Sequence, residues 1–130
     1  MGTITITPLY AGLSGLMLLG LAFLVIRLRR EHRVPLGDGG IKALHQAIRV
    51  QANFTEYVPL ALVLILLVEV TGHPAWLVHA LGAVLVIARL LHVWGLSRRA
   101  GTSFGRFFGT LGTFLVLLAA SGVLLVRSIV

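Results

Sequence analysis

The sequence predicts an all-α integral membrane protein, a four-transmembrane-helix up-down bundle, and three observations predict it. The 130-residue chain is 58% hydrophobic and only 12% charged, against roughly 45–50% apolar residues in ordinary soluble domains. Its apolar residues fall into stretches close to the ~20 residues that a helix needs to cross the hydrocarbon. Most of its basic residues lie between those stretches. Helices are expected at about 8–30, 43–70, 75–97 and 104–127, forming a single membrane domain over 1–130.

The first stretch, Leu9 to Ile26, carries no charge and follows Pro8, a residue suited to a helix start because its missing N–H is not needed there. No basic residue precedes the apolar run, and RLRREHR follows it in place of a small-residue cleavage pattern. It therefore reads as a retained helix and not as a secretory signal. Trp76 to Trp94 and Phe107 to Val126 are equally apolar, apart from Arg89 and His92 inside the former. The purely apolar part of the second stretch, Tyr57 to Val68, is too short to cross. That helix must extend back through Arg49, Gln51, Asn53 and Glu56.

Orientation follows from the basic residues. Arg27, Arg29, Arg30, Arg33 and Lys42 lie between helices one and two, and Arg98, Arg99 and Arg106 between three and four, whereas the turn Val70 to Ala75 has none. The positive-inside rule places both basic segments in the cytoplasm, with both termini and the VTGHPA turn on the other side. Arg127 is a single dissent. The net charge of +7 is explained by topology and anionic headgroups; no nucleic-acid-reading module fits in the chain. Without cysteine there is no disulfide framework, thiol nucleophile or Cys-based metal site. The histidines lack zinc spacing, so no metal is expected. VPLGDGG at Val34 to Gly40 reads as a turn-rich connector, since no Lys-Ser/Thr follows as in a phosphate-binding loop.

The informative feature is a polar stripe on helix two. Arg49, Asn53 and Glu56 are spaced i, i+4, i+7, with His45 a turn earlier, which puts them on one helical face. Charged residues facing lipid cost roughly 2.5–3.5 kcal/mol each on insertion scales, so this face should point into a bundle or wet cavity. Helices two and three form a hairpin around Gly72–His73, and Glu56 and Arg89 are equally far from that turn, as are Asn53 and His92. Equal distance means equal depth. An acid, an amide, a guanidinium and an imidazole should meet at one level if the two polar faces turn toward each other. A Glu56–Arg89 pair alone would only fix register. The surplus of Arg49, Gln51, Asn53 and His92 instead suggests a polar ligand carrying both charge signs.

At these residues the chain resembles the family of membrane-associated proteins in eicosanoid and glutathione metabolism, MAPEG. The run Arg49-Val50-Gln51-Ala52-Asn53-Phe54-Thr55-Glu56-Tyr57-Val58-Pro59 is similar to its helix-two signature, and Ala88-Arg89-Leu90-Leu91-His92 to its helix-three element. The connector between helices one and two resembles the bacterial branch.

The resemblance implies a homotrimer with glutathione as cosubstrate, bound between protomers near the cytoplasmic side. It implies Arg49 and Arg89 on the carboxylates, Glu56 on the ammonium, Asn53 and Gln51 on backbone groups, and Arg30, with Arg27 as the second choice, as the helix-one arginine; His92 occupies the helix-three position. Guanidinium forks suit carboxylates. Arg106 is the implied catalytic cation, since a neighbouring positive charge lowers a thiol pKa and the thiolate is the nucleophile. Three departures bear on catalysis: Leu96 stands where several relatives carry Tyr, Tyr57 falls elsewhere on the helical wheel, and Ala52 replaces a second Arg of some relatives.

Three function classes follow. The first is a glutathione transferase or peroxidase acting on a hydrophobic small molecule, either an electrophile or a lipid hydroperoxide. The second is a non-catalytic lipid-binding or scaffold protein. The third is a small proton-coupled exporter using Glu56, a role that the surrounding arginines disfavour. Trp76 and Trp94 suit interfacial anchoring. His73 and His79 lie too far from the cytoplasmic site to join it, and Gly15, Gly20, Gly105, Gly109 and Gly112 suit close helix packing.

Overall fold

A computed structural model describes residues 3–98 and 104–130; the side chains of Leu96 and Arg98, and all of Arg99, lie outside the described residues. The described residues form four helices and no strand: α1 (Thr7–His32), α2 (Lys42–Val70), α3 (Ala75–Arg98) and α4 (Phe104–Ile129). All four are long and apolar enough to cross a bilayer. The chain is a multi-pass membrane protein. Leu9, Leu13, Leu16, Phe23 and Ile26 on α1 and Leu118 and Leu125 on α4 are exposed, which suits hydrocarbon as the surrounding solvent.

The spine of the bundle is α2. Its buried residues Leu44, Ala47, Val50, Phe54, Val58, Ala61, Ile65 and Val68 recur every three or four positions and form one continuous seam. Along that seam α2 packs against α1, α3 and α4, while α1 and α4 do not touch each other. Leu21 of α1, Val78, Leu81 and Leu85 of α3, and Val116 and Ala120 of α4 complete the main core.

The closest approach joins α3 to α4. A Cβ on Gly105 would lie 2.5 Å from the Leu91 carbonyl oxygen, and one on Gly109 would lie 2.5 Å from that of Ala88. Only hydrogen fits at these two positions, so the glycines set the spacing of the helices that carry His92 and Arg106.

Turn chemistry fixes the ends. Arg33 ends α1 in the left-handed region at φ 55°, and the Arg29 guanidinium donates to the carbonyls of Gly37 at 2.7 Å and Val34 at 3.3 Å. In the same connector Asp38 accepts from the Gly40 N–H at 2.9 Å and lies 2.7 Å from His45 Nδ1. Those two partners, the Gly40 N–H first, hold the Asp38 carboxyl below its ordinary range. His45 is thus committed to the connector rather than to the polar stripe.

At the opposite end, Glu69 ties α2 to α1. Its carboxylate accepts from the backbone N–H groups of Thr5, Ile6 and Thr7 at 2.7, 2.7 and 2.8 Å and from the Thr7 hydroxyl at 2.5 Å. The first N–H groups of a helix have no partner within it and carry its positive pole, so a carboxylate from another helix answers both needs.

Candidate functional site

The polar residues of α2 divide between two directions. Arg89 on α3 is the largest fully buried side chain, 1% exposed, and donates from Nη1 to Asn53 Oδ1 at 2.8 Å. Its guanidinium lies over the Phe54 ring, 5.4 Å from the centroid. It also makes a long 3.5 Å contact with His92 Nδ1. A guanidinium can only donate, so this contact casts Nδ1 as acceptor and puts the proton of a neutral His92 on Nε2. Among the described residues Arg89 Nε has no hydrogen-bond partner and no carboxylate pairs with the guanidinium.

Glu56 does not join them. It faces outward with Arg49, Nη2 to Oε1 3.9 Å, each side chain at least half exposed. The reason is angular. At 100° per residue Glu56 stands about 200° from both Phe54 and Val58, the buried positions flanking it, and so points away from the core that holds Arg89. Of the four groups that sequence places at one depth, the fold brings together three: Asn53, Arg89 and His92. Gln51 is half-buried and makes no side-chain hydrogen bond with a described residue. Arg30 is exposed and lines a separate shallow cavity with Arg29, Arg33, Val34 and Pro35.

His92 also faces a groove of about 470 Å³, lined with it by Arg106, Phe107, Thr110, Leu111 and Phe114. That volume falls among small-molecule sites, and the mixture of an apolar wall with a few polar groups is typical of them. The first turns of α4 supply Arg106 and the aromatic wall; Gly109, against His92, lets that wall approach α3. Tyr57 of α2 packs edge-on against Phe114, ring centroids 5.2 Å apart, so it adjoins this wall. An imidazole and a guanidinium lining an otherwise apolar groove are able to hold an anion beside a hydrophobic molecule.

Sequence reasoning missed two features. The Phe107–Phe114 wall and its Tyr57 contact link α2 to α4, which no hairpin connects, so equal-depth arithmetic could not reach them. Glu69 left a signal that was not used: it is the lone acid at the end of an apolar run, and an up-down topology places that end beside the start of α1.

Fold and groove together define a class: a four-helix, multi-pass membrane protein with a buried basic cluster behind an aromatic-walled groove. The family model of MAPEG matches residues 7–126, and the chain belongs to the MAPEG family. It is 46% identical over 94 residues to "Inner membrane protein YecN" of Escherichia coli strain K12 and, equally, to that of Escherichia coli O6:H1 strain CFT073. The match covers 72% of this chain and 72% of each relative.

Proposed function

We propose that the protein binds glutathione and uses it as a transferase or peroxidase on hydrophobic electrophiles or lipid hydroperoxides. The observation that carries this reading is the pairing of Arg106 and His92 with an apolar, aromatic wall in one groove. A thiolate needs the cation, and a membrane-dissolved substrate needs the wall. With an aryl halide, the thiol proton passes to water, the thiolate sulfur forms the new C–S bond, and halide leaves. With a hydroperoxide, sulfur attacks the terminal oxygen and the alkoxide takes a proton. A second glutathione then reduces the sulfenic acid, giving disulfide and water.

The other residues bind the tripeptide. Arg49 and Glu56, outward and half exposed, offer one cation and one anion to a ligand with carboxylates and an ammonium. Arg89 acts through Asn53: by occupying Oδ1 it leaves the amide NH₂ to donate to a ligand carbonyl. Gln51 adds a backbone contact and Arg30 a carboxylate contact. A loose, exposed ion pair on a membrane-spanning helix calls for a cover. We propose that neighbouring copies in a homotrimer supply it, bringing Arg30 of one copy to the Arg49–Glu56 face of the next. The basic loops then face the cytoplasm of an inner membrane, as in the YecN name, with both termini on the far side.

The test is conjugation of glutathione to an aryl halide by purified protein in detergent. Arg106→Ala should lower the rate by two orders of magnitude or so, in the range of about 2.7–4 kcal/mol for the loss of one charge-stabilising donor. Equal rates would remove the thiolate role. The mostly apolar lining of the groove favours non-catalytic lipid binding as the second reading. Retained lipid with no glutathione affinity would select it. The Arg49 partner of Glu56 disfavours the exporter reading, which needs a free carboxylate.

A further inference from the structure

A second groove lies at the other end of the bundle, between the start of α3 and the end of α4. It has a volume of about 610 Å³ and is lined by His73, Leu77, Gly122, Val123, Val126, Arg127 and Val130. Glutathione chemistry does not use it, yet it holds the arginine that topology leaves on the wrong side. Arg127 makes no hydrogen bond or ion pair with any described residue. All four carboxylate side chains of the protein are engaged elsewhere: Glu31 with Arg27, Asp38 with His45, Glu56 with Arg49, and Glu69 at the start of α1. The helix pole favours a cation in the last turn of α4 but leaves the guanidinium donors unfilled. His73 is held by Nδ1, 2.9 Å from Thr71 Oγ1 and 3.2 Å from the Val68 carbonyl, and its Nε2 has no partner among the described residues.

We propose that this groove is a binding site for one anionic phospholipid of the leaflet at that face. Its layout is amphiphilic in the same sense as the ligand. Leu77, Val123 and Val126 form an apolar channel along membrane-spanning helices, and Arg127 and His73 stand at its membrane-surface end to receive a phosphodiester. Gly122 faces open channel space, where a Cβ would meet nothing within 4 Å. The net anionic headgroup complements a guanidinium that no acidic side chain of the protein pairs with, whereas a zwitterionic headgroup brings its own cation.

The experiment is native mass spectrometry of the full chain in detergent with phosphatidylglycerol or phosphatidylcholine added. The wild type should retain phosphatidylglycerol preferentially. Arg127→Gln should cut that preference about fivefold, the effect of one cation near a charged headgroup, whereas Arg33→Gln at the opposite end should not. Gly122→Leu, with Gly122→Ala as a milder control of folding, should fill the channel and lower retention of both lipids. The proposal is overturned if Arg127→Gln keeps the preference, if Arg33→Gln lowers it equally, or if Gly122→Leu retains lipid undiminished. A change in subunit number with Gly122→Leu would likewise overturn it by assigning the groove to a second copy of the chain.

Discussion

Replacing Glu69 by Ala removes the acceptor of three backbone N–H groups and one hydroxyl at the start of α1. These donors are not equally exposed. Thr7 is buried, while Thr5 is exposed and Ile6 half-buried, so water can replace the carboxylate at Thr5 and Ile6 but not at Thr7. A hydrogen bond to a charged group contributes about 1.5–3 kcal/mol net. Assigning about 2 kcal/mol to the buried Thr7 N–H, about 0.5 kcal/mol to each of the Thr5 and Ile6 N–H groups, and nothing to the Thr7 hydroxyl, which can rotate to another acceptor, gives a loss of about 3 kcal/mol. That is roughly a hundredfold in the unfolding equilibrium, at about 1.4 kcal/mol per decade. Glu69→Gln keeps one acceptor oxygen and should lose about half as much. Reversible unfolding in mixed micelles measures the free energy, and amide exchange at Thr5 to Thr7 reports whether the first turn frays. Stability within about 0.5 kcal/mol of wild type, with Thr7 exchange unchanged, would falsify the assignment of Glu69 as the partner of that helix end.

Other outcomes are expected. Gly109→Ala places a Cβ against the Ala88 carbonyl and 2.8 Å from His92 Cβ, so the bundle should lose about 1–3 kcal/mol, read as a lowered unfolding midpoint. Arg89→Met removes a buried cation that has no carboxylate partner; stability should hold or rise, while calorimetry should show glutathione affinity falling about tenfold as Asn53 loses its orientation. The pH response of the Asp38 contact has a definite sign. Because the folded carboxyl titrates below the ordinary value of 3.8, its contribution is present above that value and is lost as pH falls through the lower folded value. His45 shifts followed by nuclear magnetic resonance should show the contact surviving at pH 3.8; a contact already half broken at or above that pH refutes the arrangement.

The fold was legible because hydropathy and basic-residue placement act at the scale of whole helices. Depth within the α2–α3 hairpin was legible only to about a turn, because one tight turn joins both helices: Asn53 meets Arg89, three residues from the His92 that equal depth assigns to it. Azimuth was less so. The stripe Arg49–Asn53–Glu56 reads as a single face, but it sits on the shoulder of the buried seam through Phe54 and Val58, so Asn53 reaches inward while Glu56 does not. Contacts between helices without a connecting turn, such as Tyr57 with Phe114, left no trace in sequence spacing.

That α1 and α4 do not touch has a consequence for biogenesis. A chain inserted from its N-terminus delivers α1 to the bilayer before α2 and α3, the helices it packs against, and α1 docks only when α2 arrives. The α4 helix needs no α1 at all. It can settle on the finished α2–α3 hairpin whether or not the first helix is in place. Maturation of the bundle is therefore two independent arrivals at a common hairpin, and a lesion confined to α1 should leave the α3–α4 groove assembled.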